Sequence, residues 1–156
     1  MMKKKVQVLI STIAVITALI IVSPVQAQIL HPVKWSYGFK KLSATEAVVM
    51  FKANIDPGWH LYSTVQPDGG PVKTSFIFLP SVAYNIIGAV SEPQAVTKFE
   101  KSFGINVLYF ENEVIFRQTV KLNGATALIK GTLRFMVCND KQCLPPENVS
   151  FSVPVK

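Results

Sequence analysis

The sequence predicts an all-β protein folded as an antiparallel β-sandwich. Three observations predict it. Apolar and polar residues alternate at period two through several segments, as strands with one buried face require. Turn chemistry divides those segments: Asp56-Pro57-Gly58, Pro67-Asp68-Gly69-Gly70-Pro71, Glu92-Pro93 and Asn123-Gly124. No long stretch after residue 27 carries helical spacing. About seven to nine short strands in one domain of this size suit a sandwich.

The 156-residue chain begins with a different kind of segment. Lys3, Lys4 and Lys5 form a charged start, and residues 6–22 form an apolar run. Val25 and Ala27 then place small residues at the −3 and −1 positions of a cleavage site. This order is that of a secretory signal peptide. The run is shorter than the ~20 residues that span a bilayer, so no membrane span is expected after processing. No cysteine follows the run, which argues against a lipid-anchored start. Residues 1–27 are therefore expected to be removed, leaving 28–156 as one exported domain.

The strands are read in order. "WSYGFKKL" (35–42) comes first. In "EAVVMFKANI" (46–55), Ala47, Val49, Phe51, Ala53 and Ile55 make the buried face. "TSFIFLP", "YNIIGAV", "VLYF" and "EVIFRQTVKL" follow. In "LIKGTLRFMV" (128–137), Ile129, Gly131, Leu133, Phe135 and Val137 point inward. In "ENVSFSVPVK" (147–156), Val149, Phe151, Val153 and Val155 do the same. Pro154 cannot donate to a ladder, so that last strand is expected at an edge.

Composition excludes several functions. The formal net charge is +7, and it falls to +4 without Lys3, Lys4 and Lys5. The basic residues are scattered, with no cluster interleaved with aromatics, so nucleic acid is not an expected partner. There is no G-x-S-x-G, phosphate loop or paired-carboxylate signature. A closed zinc site needs four ligands. The two cysteines and the histidines His31 and His60 lack metal-ligand spacing, so neither metal nor cofactor is expected.

Both cysteines lie in "VCNDKQCLPPE", residues 137–147. Cys138 ends the predicted strand 132–137, and Cys143 precedes Pro145, Pro146 and the last strand. The intervening Asn139, Asp140, Lys141 and Gln142 are polar and should face water. In an exported protein the pair is expected to form a disulfide. Closing so short a loop contributes only about 2 kcal/mol of chain entropy, against about 4–5 for a loop near 100 residues. Exposed, strained bridges are the labile ones. A hairpin staple and a redox pair both remain open at this level.

The same residues resemble a family. Cys138, Cys143, Leu144, Pro145, Pro146 and Glu147 are similar to the cysteine segment of the N-terminal, periplasmic domain of the thiol:disulfide interchange protein DsbD. "DPGWHLYS" (56–63) looks like that family's Gly-aromatic-aromatic-Leu-Tyr strand, and "FEKSFG" (99–104) lies where the family has its cap loop. The resemblance covers essentially all of 28–156 and implies an immunoglobulin-like sandwich.

It also implies electron transfer by thiol–disulfide exchange, as a protein-disulfide reductase component. Cys138 and Cys143 would be the redox pair, with Cys138 forming the bond to the partner. A membrane or thioredoxin-like thiol reductase would donate. Periplasmic disulfide isomerases and cytochrome-maturation proteins would receive. Aromatics pack round the family's disulfide, and a cap phenylalanine shields it. Here Phe103 or Phe99 is the candidate cap aromatic and Glu100 the cap carboxylate. Tyr62 keeps an aromatic on the matching strand, Trp59 is a neighbouring one, and His60 stands where a tyrosine is expected.

Two departures are visible. The cysteine spacing is one residue shorter than the enterobacterial pattern. A membrane conduit and a thioredoxin-like domain are not in this sequence, so electrons are expected from another chain. The alternative class is a non-redox secreted β-sandwich interaction domain with a structural hairpin disulfide.

Overall fold

The structure is a computed structural model, and residues 30–156 are described. The expected signal peptide, 1–27, and its cleavage point after Ala27 lie outside the described residues. Among the described residues no helix is long and apolar enough to cross a membrane.

Eleven strands run in chain order. The first six are β1 (Val33–Lys41), β2 (Glu46–Ile55), β3 (His60–Tyr62), β4 (Ser75–Phe78), β5 (Tyr84–Ser91) and β6 (Val96–Glu100). The rest are β7 (Ile105–Phe110), β8 (Glu113–Leu122), β9 (Ala127–Phe135), β10 (Val137–Cys138) and β11 (Glu147–Val155). All pairings between them are antiparallel. The fold is an immunoglobulin-like antiparallel β-sandwich.

One sheet has the order β1-β2-β8-β5. A second, β11-β9-β4, packs against it. The period-two faces predicted for β2, β9 and β11 are the faces that meet. Phe51 of β2 touches Phe76 of β4 and Phe151 of β11, each at a ring-centroid distance of 4.8 Å. Phe116 of β8 packs on Phe76 at 5.4 Å. Gly131 sits opposite Phe151 in the β9–β11 register. A Cβ there would lie 2.5 Å from Phe151 Cζ and 2.2 Å from the Ile77 carbonyl oxygen, so glycine makes room for the ring. Pro154 lies on β11, the expected edge of its sheet.

A third sheet, β10-β3-β7-β6, extends the second layer, because the chain leaves β9, passes Met136 and enters β10. Phe110 of β7 reaches Phe116 of β8 at 5.8 Å and joins this sheet to the main core. Eleven strands exceed the seven to nine expected. The predicted strand 128–137 is two, broken at Met136 where the pairing partner changes from β11 and β4 to β3. Strand β6 went unread because its residues are almost all exposed and show no alternation.

Candidate functional site

Cys138 and Cys143 are joined by a disulfide, with Cα atoms 4.0 Å apart. Between them the chain makes a tight turn. The Asn139 N–H donates to the Gln142 carbonyl (2.9 Å), and the Leu144 N–H donates to the Val137 carbonyl (2.9 Å). Asn139 Oδ1 accepts from the N–H groups of Lys141 and Gln142, both at 2.9 Å. An asparagine carbonyl bonded two and three residues ahead is an Asx-type turn, which fixes the backbone locally. Backbone hydrogen bonds therefore close the same loop that the disulfide closes.

The two sulfurs' residues differ sharply in access. Cys143 is exposed, as expected for a polar turn, but Cys138 is only 1% exposed. The polar turn is exposed as expected, but the two cysteines have unequal access, Cys143 at the surface and Cys138 beneath it. Cys138 does not end a strand at the surface. It pairs with β3, and its outer side is covered.

Period two sorts the two faces of this sheet. Val137, Leu61 and Phe110 point into the main core. Cys138 points the other way, where it joins Tyr62, Val107 and Tyr109 in a second buried cluster. The register places Cys138 opposite His60 and Tyr62 opposite Tyr109. Phe103, Ile105 and Met136 pack against this cluster from outside.

The segment expected as the cap forms the hairpin from β6 to β7. The N–H groups of Phe103 and Gly104 both donate to the Glu100 carbonyl, at 3.1 and 2.8 Å. Gly104 has φ +69°, a left-handed conformation that glycine adopts without steric cost. The turn aims Phe103 at Tyr62. Phe99, by contrast, is 57% exposed and outside the cluster. Of the two candidate cap aromatics, Phe103 is the one that packs against the cluster holding Cys138. Both Phe99 and Glu100 lie on β6 rather than in the loop proper. Lys98 Nζ approaches Asp140 Oδ1 at 3.5 Å, linking the cap strand to the cysteine turn through an exposed, weak pair.

The electrostatics follow from burial. The Tyr62 hydroxyl is buried without a hydrogen-bond partner. Desolvation, and then the negative charge of Glu100, push its pKa up to about 12. Tyr109 is raised too, chiefly by burial and next by Glu111. His60 is buried, its ring 4.4 Å from that of Tyr109, with Nε2 2.9 Å from Glu111 Oε1. Trp59 belongs to the main core and not to this cluster.

Sequence reasoning missed Tyr109, Glu111, Lys98 and Asp140. Tyr109 and Glu111 have the i, i+2 spacing of one strand face, but only the β3–β7 register brings them to His60. The assembled site holds a disulfide with one accessible member and one buried member. Phe103 packs against the cluster that holds the buried one, and His60, paired with Glu111, stands opposite it in the register. Access and thiolate stabilisation are what thiol–disulfide exchange requires.

The family described as thiol:disulfide interchange protein DsbD, N-terminal, matches residues 26–154. Among solved structures, the chain is similar to the N-terminal periplasmic domain of ScsB from Proteus mirabilis. The identity is 18% and the TM-score 0.59, covering 81% of this chain and 47% of that one. It is also similar to a structure of the complex between the DsbD N-terminal and PilB N-terminal domains from Neisseria meningitidis. There the identity is 16% and the TM-score 0.50, covering 85% of this chain and 86% of that one. At such identities the likeness is one of fold. The chain spans less than half, 47%, of the ScsB chain it matches. No curated protein matches the sequence.

Proposed function

The chain belongs to the family of DsbD N-terminal thiol:disulfide interchange domains, and on that premise we propose that it is an exported redox carrier. It passes reducing equivalents in the periplasm between a membrane or thioredoxin-like thiol reductase and exported proteins that hold disulfides. The signal peptide, cleaved after Ala27, delivers it there. A DsbD N-terminal domain from Neisseria meningitidis forms a complex with a PilB N-terminal domain, and a protein partner suits this chain as well. Disulfide isomerases and cytochrome-maturation proteins are the recipient classes.

The observation that carries the proposal is the asymmetry of the pair, with Cys143 exposed and Cys138 buried in the cluster with Tyr62 against which Phe103 packs. A donor thiolate attacks the sulfur of Cys143, forming a partner–Cys143 bond and breaking the Cys138–Cys143 bond. Cys138 leaves with the electron pair as a thiolate. The donor's second thiolate then attacks its own sulfur in the mixed disulfide and releases Cys143. The donor departs oxidised and the pair is left as a dithiol, two electrons richer. Transfer to a recipient runs the same steps in reverse, with Cys143 attacking and Cys138 resolving.

A trapping experiment tests this. Cys138→Ser leaves Cys143 free and should accumulate a mixed disulfide with a thioredoxin-like dithiol protein. Cys143→Ser leaves only the buried thiol and should trap little. Trapping by neither variant would remove the carrier reading. Trapping mainly by Cys143→Ser would reverse the two roles.

A further inference from the structure

We propose that His60 is the proton donor and acceptor for the Cys138 sulfur during exchange, and that Glu111 holds its ring for that task. The inference rests on the exchange reading above and assigns its proton chemistry.

Geometry comes first. Cys138 and His60 are directly opposite in the β10–β3 register. Such cross-strand partners lie on one face with Cβ atoms about 4.5–5.5 Å apart. Both are buried. His60 Nε2 is engaged by Glu111 Oε1 at 2.9 Å. That contact fixes the neutral tautomer with the proton on Nε2 and leaves Nδ1 as the free nitrogen. The Tyr109 ring, 4.4 Å away, limits how the imidazole can turn. A nucleophile, a base and a carboxylate that orients the base is the general arrangement for activating a thiol.

Chemistry gives the arrangement work to do. When Cys143 is attacked, Cys138 leaves as a thiolate inside an apolar cluster, where an unpaired charge is costly. Protonated His60 first offsets that charge and then transfers its Nδ1 proton, leaving a neutral thiol and a neutral imidazole. In the reverse direction the imidazole takes the Cys138 proton, and the thiolate attacks the Cys143 sulfur of the mixed disulfide. Glu111 holds the Nε2 proton throughout, so Nδ1 is the nitrogen that both gives and takes the proton.

The other groups around His60 do not duplicate the role. Tyr109 faces it from β7, Glu111 from just beyond the end of β7 and Cys138 from β10, and Tyr62 lies on its own strand. Tyr109 in turn feels Lys98, Glu100 and Asp140. Both phenols are held protonated by burial, and Lys98 lies on the exposed side near Asp140. Imidazole is the side chain whose charge changes near neutrality.

The test is the rate of disulfide reduction by dithiothreitol between pH 5 and 9, normalised to the dithiothreitol thiolate concentration. Wild type, His60→Gln and Glu111→Gln are compared, with circular dichroism melts as a check on folding. Wild type should show a normalised rate that rises as pH falls through the neutral range. His60→Gln should flatten that profile and slow reduction about tenfold near pH 6. That is less than the ~10²–10⁴ typical of positioned proton donors, because a thiolate leaves without full protonation. Glu111→Gln should keep the rise but with a smaller amplitude, since the ring is held less firmly in place. If His60→Gln does not fold, the smaller low-pH rise of Glu111→Gln carries the test. A wild-type profile without the low-pH rise, or one shared by both variants, would overturn the role of His60 while leaving exchange intact. A wild-type pair that does not react in the folded protein would overturn the exchange reading itself.

Discussion

Phe103 stands edge-on to Tyr62, with ring centroids 6.3 Å apart and planes at 89°. The contact covers the cluster in which Cys138 is buried. It also separates two phenylalanines that the sequence could not rank, since Phe99 lies outside that cluster.

Removing the lid should therefore expose the buried sulfur. Phe103→Ala is expected to speed alkylation of the reduced Cys138 thiol several-fold, with little change in the fold because the residue sits in a hairpin turn. Phe99→Ala should leave the rate unchanged. Alkylation followed by mass spectrometry reports both thiols separately. Equal effects of the two substitutions would mean the cap is not Phe103.

Tyr62 gives the site a pH signature. Burial and Glu100 raise its pKa from 10.0 to about 12. The folded state favours the protonated phenol, so the resulting stability is complete below pH 10 and is lost as pH rises towards about 12. An ultraviolet titration should show one tyrosine ionising near the end of that window, with stability to urea declining across it. In Phe103→Ala the same tyrosine should titrate earlier. Ionisation of every tyrosine near pH 10 would contradict a dry phenol beneath the cap.

The long strands were legible because each buries one face. Period two in 46–55, 113–122 and 147–156 is the burial pattern observed for β2, β8 and β11. The short strands around the cysteines were not legible by that rule. All three residues of β3 are buried, so His60, Leu61 and Tyr62 show no alternation, and only the family resemblance marked them. Val137 and Cys138 are both buried because one faces the main core and the other the cap cluster. A sheet covered on both sides erases the signal that one-sided burial writes into sequence. Cysteine identity and spacing located the site. Which cysteine is accessible, and that His60 meets Glu111, depend on register between distant segments, which no local pattern carries.

Gly131 tests the packing that supports the site. An added methyl would meet the Ile77 backbone oxygen at 2.2 Å and the Phe151 ring at 2.5 Å. The ring can shift, but the carbonyl belongs to the β4–β9 ladder and cannot move without breaking it. Gly131→Ala should therefore destabilise the domain by about 2–3 kcal/mol, as overpacking does. Chemical denaturation measures it. A loss below about 0.5 kcal/mol would mean the two layers are looser than described.

In a redox carrier the disulfide serves exchange and not folding. Hydrogen bonds at Asn139, Gln142 and Leu144 already close the loop, and the bridge adds only about 2 kcal/mol of chain entropy. The most direct test is a redox titration of the Cys138–Cys143 pair in glutathione or thioredoxin buffers, with circular dichroism followed in parallel. The pair should equilibrate reversibly while the protein stays folded. Its midpoint should lie above the roughly −300 mV of structural disulfides. A pair that resists reduction until the domain unfolds would make the bridge a staple and the protein a non-redox β-sandwich.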